Sequence, residues 1–363
     1  MYQFAEHYLQ LKPGTDVVMF QALAHVIVNE GLVDQEFLDN RVEGWEEYLP
    51  SLEAFTPEYA EEICGVPAEA IRQAARVYGK ANAAAIYWGM GISQSVHGTD
   101  NAISLANLAL LTGNIGRPGT GLNPLRGQNN VQGCSDSGGL PNVYPGYQPV
   151  SDPEIRKKFE EYWGTSLDPD PGLTTMEMVD AAETGAIKGY FVMGENPMMS
   201  EPDLLHARHV MEGLEFVLYQ DIFMNETGEY ADIVLPAGSF AEKDGTFTNS
   251  DRRVQLIRPA IVSPGEARPD WRILQDLARR VEQKLEVKNS IGFEFNNPAE
   301  IWDEMAELTP PFQGITHERI KKESGVHWPC PTPDHPGTPY LFSESFPRGK
   351  GALTPLTYRP SQE

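Results

Sequence analysis

AIKGYFVMGENP at residues 186–197, EFVLYQD at 215–221 and ADIVLPAG at 231–238 carry the reading that decides the fold. Each is a short apolar run that closes on a turn, the pattern of a strand buried in a sheet. Between the first two, Pro202 to Glu212 reads as a helix. Strand, turn, helix, strand implies a parallel, Rossmann-like sheet whose ligands lie beyond the carboxyl ends of the strands. The turns Gly194-Glu195-Asn196-Pro197 and Gln220-Asp221 fall at that edge.

Upstream, helices and short strands alternate. Asp16 to Glu30 is apolar at helical spacing, with Val17, Phe20, Ala24 and Val28 on one face. Thr56-Pro57 opens another helix as N-cap and first residue, and Gly65 closes it. A third runs from Pro67 to Gly79, then Ala83 to Trp88 reads as a strand entering the turn Gly89-Met90-Gly91. Asn101 to Leu111 is a strongly apolar helix ended by Gly113. Residues 123–150, NPLRGQNNVQGCSDSGGLPNVYPGYQPV, hold five glycines, four prolines and four asparagines, which argues for an ordered loop without regular structure. Downstream, AEKDGTFTNSDRRVQ (241–255) reads as a polar loop and Asp270 to Gln283 as an amphipathic helix. From Asn289 the chain is proline-rich and aperiodic. The expected division is a partial α/β domain over 1–128, a Rossmann-like domain over 129–290 and an irregular linker over 291–363.

Twenty-eight basic against fifty-two acidic residues give a net charge of −24, which argues against nucleic acid as a partner. No apolar run reaches the roughly eighteen residues of a membrane span, and MYQFAEHYLQ is not a signal peptide. Cys64, Cys134 and Cys330 are far apart, which supports neither a metal site nor a disulfide framework.

Two sheets with glycine turns and acid or amide side chains at a carboxyl edge suggest a nucleotide-bearing cofactor. GMGIS (89–93) matches GxGxxG only in part, and a tight turn explains it equally well. Glu195 and Asp221 suit ribose hydroxyls or a guanine edge, though surface acids are common in this chain. Arg126 is the sole charge between Arg117 and Asp136. Its planar fork suits a small carboxylate, or else ties the loop to backbone carbonyls.

NPLRGQNNVQGCSDSGGLPNVYPGYQ resembles the active-site loop of molybdenum and tungsten formate dehydrogenases, in the bis-molybdopterin guanine dinucleotide oxidoreductase superfamily. YWGMGISQSVHGTDN upstream, with YFVMGENPMMSEPD, ADIVLPAG and TNSDRRVQ downstream, continue the likeness. The resemblance implies two Rossmann-like, doubly wound dinucleotide-binding domains. It assigns Arg126 to the formate carboxylate, and Gly127, Gln128, Met90 and Gln94 to the surroundings of the cofactor. Gly194, Glu195, Asn196, Gln220 and Asp221 would hold one guanine nucleotide. Asp244, Gly245, Thr246, Asn249 and Arg252 would run along the pterin, and Gly14 and Asp16 would approach the other nucleotide.

The implied activity is oxidation of formate to carbon dioxide, or the reverse, at a molybdenum or tungsten centre. Iron–sulfur or NAD-linked electron-transfer subunits would be partners, in the cytoplasm. The alternatives are a nitrate or arsenate oxidoreductase, or a non-catalytic electron-transfer scaffold like that of respiratory complex I. The superfamily's [4Fe–4S] cysteine motif, its cysteine or selenocysteine metal ligand and its C-terminal β-barrel find no match here. The chain is therefore expected to be an internal piece of a catalytic subunit, inactive alone, with a selenocysteine UGA or simple truncation behind its start.

Overall fold

The computed structural model describes residues 2–286 and 293–360. They form two compact units, one of residues 1–127 with 339–363, the other of 128–338. The expected boundary at 290/291 lies outside the described residues.

In the first unit the central helix is α1 (Asp16–Asn29), with Val17, Val18, Met19, Ala22, Ala24, Val26 and Ile27 buried. Apolar residues all round its circumference let it fill two hydrophobic clusters at once. It packs against α2 (Pro57–Cys64), α3 (Ala68–Lys80) and a later helix, α5 (Gly98–Leu111). Thr56 caps α2 by accepting from the Tyr59 amide at 3.1 Å, and Gly65 ends it in the left-handed region at φ 76°. β1 (Ala85–Trp88) leads into the one-turn helix α4 (Met90–Ser93), where the sequence suggested only a turn. Helix α5 (Gly98–Leu111) follows, then β2 (Gly121–Pro124), which pairs parallel with β1, Ala85 opposite Gly121 and Trp88 opposite Pro124.

The second unit contains the parallel sheet that the strand reading called for. β3 (Gly189–Met193), β4 (Phe216–Asp221) and β5 (Ile233–Pro236) pair in sequence order, with Gly189 opposite Phe216 and Leu218 opposite Ile233. Parallel strands need a long crossover. Helix α9 (Leu204–Gly213) supplies the first, packed beside α8 (Thr175–Glu183). Central β4 is buried from Val217 to Gln220, whereas Phe191 on β3 and Ile233 on β5 are exposed.

Three expectations are corrected here. The loop over 123–150 is ordered but not structureless: α6 (Val131–Asp136) and a two-residue strand pair, Val143–Tyr144 with Gln148–Pro149, lie inside it. It is followed by α7 (Pro153–Trp163). AEKDGTFTNSDRRVQ is not a loop but a hairpin, β6 (Gly245–Thr248) antiparallel to β7 (Arg253–Ile257). Its Thr-Phe-Thr and Val-Gln-Leu-Ile alternation outweighs the charges of the turn, where Arg252 adopts φ 68°.

Nor is the tail from 293 an irregular linker. After α10 (Asp270–Leu285), α11 (Pro298–Glu307) is capped by Asn297 and starts on proline, and α12 (His317–Glu323) is capped by Thr316. Trp302, Phe312, Ile315, Ile320 and Val326 close a core with Val254 of β7, and β8 (Val326–His327) joins the hairpin. Residues 351–354 return to the first unit. There Gly351 pairs with Val42, and Asn107 exchanges side-chain hydrogen bonds with the Thr354 backbone at 2.9 and 3.1 Å.

Candidate functional site

In the first unit the carboxyl end of the β1–β2 sheet gathers four of the residues singled out by sequence. The ladder extends one residue past the strand, the Leu125 amide donating to the Trp88 carbonyl at 2.7 Å. Arg126 comes next and is exposed. Trp88 opens on the other side into Gly89 and the α4 turn, so Met90 and Gln94 leave the same sheet edge. Met90 is 59% exposed, and a Cβ built on Gly89, Gly91 or Gly127 meets nothing within 4 Å. This rim therefore leaves room for a flat group to approach the backbone.

Asn101, which sequence reasoning passed over as one more helical residue, fixes the rim. It is 2% exposed and donates to the Ile92 carbonyl at 3.0 Å and to Ser95 Oγ at 3.1 Å. Gly14 (φ 77°) and Asp16 stand instead at the start of α1. Burial pushes the Asp16 carboxyl up, partly offset by its own amide.

In the second unit, Gly194, Glu195, Asn196, Gln220 and Asp221 do assemble at the carboxyl edge of β3 and β4. The Gly194 amide donates to the Gln220 carbonyl at 2.9 Å, and at φ 64° a Cβ there would meet only open space. Glu195 is exposed and accepts from Ser200 Oγ at 2.7 Å.

Asn196 and Asp221 are turned inward. Asn196 donates to Glu226 at 2.9 Å, which holds that carboxyl below its usual range, and accepts from Thr227 Oγ1 at 2.6 Å. Asp221 accepts from Tyr219 Oη at 2.8 Å and from the Ile222 amide at 2.6 Å. Burial, then the Asp221 carboxylate, pushes the Tyr219 phenol up, so it remains a donor. Asn196 and Asp221 thus shape the turns and offer a ligand mainly their backbone.

Gln220 is fully buried. Its Nε2 donates to Asp270 Oδ1 at 2.8 Å, while its Oε1 has no hydrogen-bond partner among the described residues. Lys243 pairs with the other oxygen of Asp270. Sequence reasoning missed both: Asp270 read as a helix start and Lys243 as one charge of a polar loop. A buried carbonyl without a donor beside a fixed carboxylate is what the N–H edge of a purine base would satisfy. The open glycine turn beside it suits a pyrophosphate, which needs bare amides.

The hairpin divides its candidates. Asp244 and Thr246 line an aromatic cavity with Trp163 and Trp302. Gly245 (φ 148°) has open space where a Cβ would go. Asn249 holds the turn, its amide donating to the Arg253 carbonyl at 3.0 Å. The Arg252 guanidinium is committed to the carbonyls of Trp328 and Thr338, the latter at 3.0 Å, and lies 5.6 Å over the Trp328 ring.

Gln128 and α6 begin this unit. The Asn130 side chain accepts from the Thr248 amide at 2.9 Å, tying the loop to β6. Asp136, also missed, anchors the rest. At 2% exposure it accepts from Tyr147 Oη at 2.8 Å, and from Gln132 Nε2 and Trp328 Nε1 at 2.7 Å each.

Among the described residues no group of three His, Cys, Asp or Glu side chains is placed to hold a metal ion, and Cys64, Cys134 and Cys330 are free thiols. The candidate surface in the first unit is one of glycine turns, an amide and an exposed arginine, and that in the second unit is one of glycine turns, amides and carboxylates. Residues 2–280 match the family model of molybdopterin oxidoreductases. The chain belongs to the molybdopterin oxidoreductase family.

Within that family the chain is 49% identical over 362 residues to F420-dependent formate dehydrogenase 1 subunit alpha of Methanococcus maripaludis, covering 99% of this chain and 52% of that protein. Formate dehydrogenase H of Escherichia coli is 42% identical over 352 residues, covering 96% of this chain and 48% of its own. The chain thus spans about half the length of the curated relatives it matches. Acetylene hydratase from Pelobacter acetylenicus superposes with a TM-score of 0.69 at 19% identity, over 97% of this chain and 49% of that structure. This member of the molybdopterin oxidoreductase family therefore shares its fold with a protein titled a hydratase, and the reaction has to be argued from residues.

Proposed function

We propose that this chain is the part of a formate dehydrogenase catalytic subunit that binds formate and one face of a bis-molybdopterin guanine dinucleotide. The observation that carries this reading is Arg126, exposed one residue beyond the β1–β2 ladder and on the same sheet edge as the open Met90 turn. Identity of 42–49% to proteins named formate dehydrogenase, over nearly the whole chain, supports it.

Formate is a planar monoanion whose two oxygens match the guanidinium fork. Arg126 binds both oxygens and leaves the C–H bond pointing away from the arginine. Gly127, Gly91 and Gly89 present no side chain, so the cofactor can approach the bound anion closely. In the second unit Gly194 and Gly245 leave room for the pterin and pyrophosphate, and Gln220 with Asp270 meets the guanine. The molybdenum or tungsten centre, when bound, takes the two electrons released as formate becomes carbon dioxide and a proton.

Electrons pass on to a partner subunit of iron–sulfur, NAD-linked or F420-linked kind, the last suggested by the names of two relatives. No described helix is long and apolar enough to cross a membrane, and we place the protein in the cytoplasm.

The test is Arg126→Ala in the full-length subunit. Loss of a desolvated, charge-assisted contact costs about 2–5 kcal/mol, roughly thirty- to several-thousand-fold in kcat/KM for formate. Molybdopterin content should stay near wild type. Arg126→Lys should recover little, because an ammonium lacks the fork. Near-normal kinetics in Arg126→Ala, or failure only through lost cofactor, would refute the substrate role.

A further inference from the structure

The second unit holds a cavity of about 370 Å³, lined in part by Asp244 and Thr246, which the resemblance sets along the pterin, though no step proposed above uses either side chain. Three of the chain's six tryptophans line it, Trp163, Trp271 and Trp302, with Phe159 and Met305 beside them. Two carboxylates, Asp244 and Glu304, share the wall. Glu304 is held in place by Trp163, whose Nε1 donates to Oε1 at 3.0 Å. Among the described residues lining the cavity there is no lysine or arginine. The base on the wall is His317, and burial pushes its imidazole pKa down from 6.5, so it is neutral at pH 7.

Two of the lining side chains carry a buried polar atom without a hydrogen-bond partner among the described residues, Trp271 Nε1 and His317 Nε2. A purely structural cavity leaves both unsatisfied, at a cost that a ligand or ordered water would remove. The nearby cations do not neutralise the carboxylates from inside. Lys158 is fixed on the Leu308 carbonyl at 2.7 Å and lies 4.9 Å over the Phe159 ring, and Arg272 lies 5.1 Å over Trp271. Both show that rings of this wall accept positive charge on their faces.

We infer that this cavity binds a small organic cation of the methylated ammonium class bearing a hydrogen-bonding tail. Aromatic faces and two acids attract the charge. An N-methylated head loses little hydration on entering apolar walls, whereas a primary ammonium would leave N–H groups unmet. A hydroxyl or carboxylate on the tail would accept from Trp271 Nε1. The inference does not depend on the proposed reaction.

The test is tryptophan fluorescence and calorimetric titration of the 363-residue chain and of the full-length subunit with choline, in salt-matched buffer. The comparison ligand is 3,3-dimethylbutan-1-ol, which replaces the charged nitrogen with carbon at nearly the same shape. Choline should bind both proteins, about two- to thirtyfold more tightly than the alcohol. Glu304→Gln, which keeps an acceptor for Trp163, should weaken choline severalfold and leave the alcohol unchanged. Equal binding of the two ligands would reduce the site to an apolar void and overturn the inference. So would indifference to Glu304→Gln, absence of choline binding, or binding by the 363-residue chain but not by the full-length subunit.

Discussion

Replacing Asp136 by asparagine changes one atom of the loop that follows Arg126. The carboxylate is buried, and three side-chain donors converge on it, Tyr147 Oη and Gln132 Nε2 on one oxygen and Trp328 Nε1 on the other. An asparagine keeps the shape but turns one oxygen into a donor, which must face either Trp328 or the Tyr147–Gln132 pair. A hydrogen bond to a charged group is worth about 1.5–3 kcal/mol, and a donor left facing a donor costs more than the lost bond. Asp136→Asn should therefore lose roughly 2–4 kcal/mol of stability.

The pair can be isolated. Trp328→Phe removes the indole N–H while keeping a ring beneath Arg252. A double-mutant cycle of the two substitutions, read by urea unfolding of the 363-residue chain, should give a coupling of about 1.5–3 kcal/mol with unchanged m values. Additivity within about 0.5 kcal/mol would refute the reasoning, because independent sites behave that way.

Further outcomes follow from the same physics. His317 has its folded pKa below the unfolded value of 6.5, so below pH 6.5 the unfolded chain binds the extra proton first. Stability should fall as pH drops from 6.5 toward the folded pKa, and His317→Gln should lose that part of the acid slope in melting curves; identical slopes would contradict the assignment. At Gly314 a Cβ would lie 2.0 Å from the Thr332 carbonyl oxygen and 2.7 Å from that of Cys330. Gly314→Ala should cost about 1–3 kcal/mol, and an unchanged melting temperature would show that the backbone yields there. Thr56→Ala removes the cap of α2 and should cost about 1 kcal/mol, measured in the same way, with no loss speaking against the cap.

Much of this architecture is written locally. β3, β4 and β5 are continuous apolar runs between turn residues, and Thr56, Pro57 and Gly65 mark the ends of α2 chemically. The hairpin escaped because its strands are short and its turn carries most of the charge. The helices at 298–307 and 317–323 escaped because proline-rich surroundings hid two ordinary starts, Asn297-Pro298 and the Thr316 cap.

The candidate site divides in the same manner. Gly194, Glu195 and Gln220 are legible because a strand's carboxyl end fixes where the next residues go. Asp270, Lys243 and Asp136 gain their roles from partners far along the chain, such as Gln220 for Asp270 and Trp328 for Asp136. No local pattern announces such pairs. Arg126 was conspicuous by its isolation, but only the β1–β2 register shows that it leaves the same edge as Met90.

The most direct measurement is turnover by the full-length, molybdopterin-loaded subunit, with formate and oxidised dye in one assay and with nitrate or arsenate and reduced dye in the others, following carbon dioxide release and the redox state of the dye. The account predicts that formate alone supports turnover, with one carbon dioxide formed for every two electrons delivered to the dye. Reduction of nitrate or arsenate without formate oxidation, or a loaded subunit inert toward all three, would contradict it.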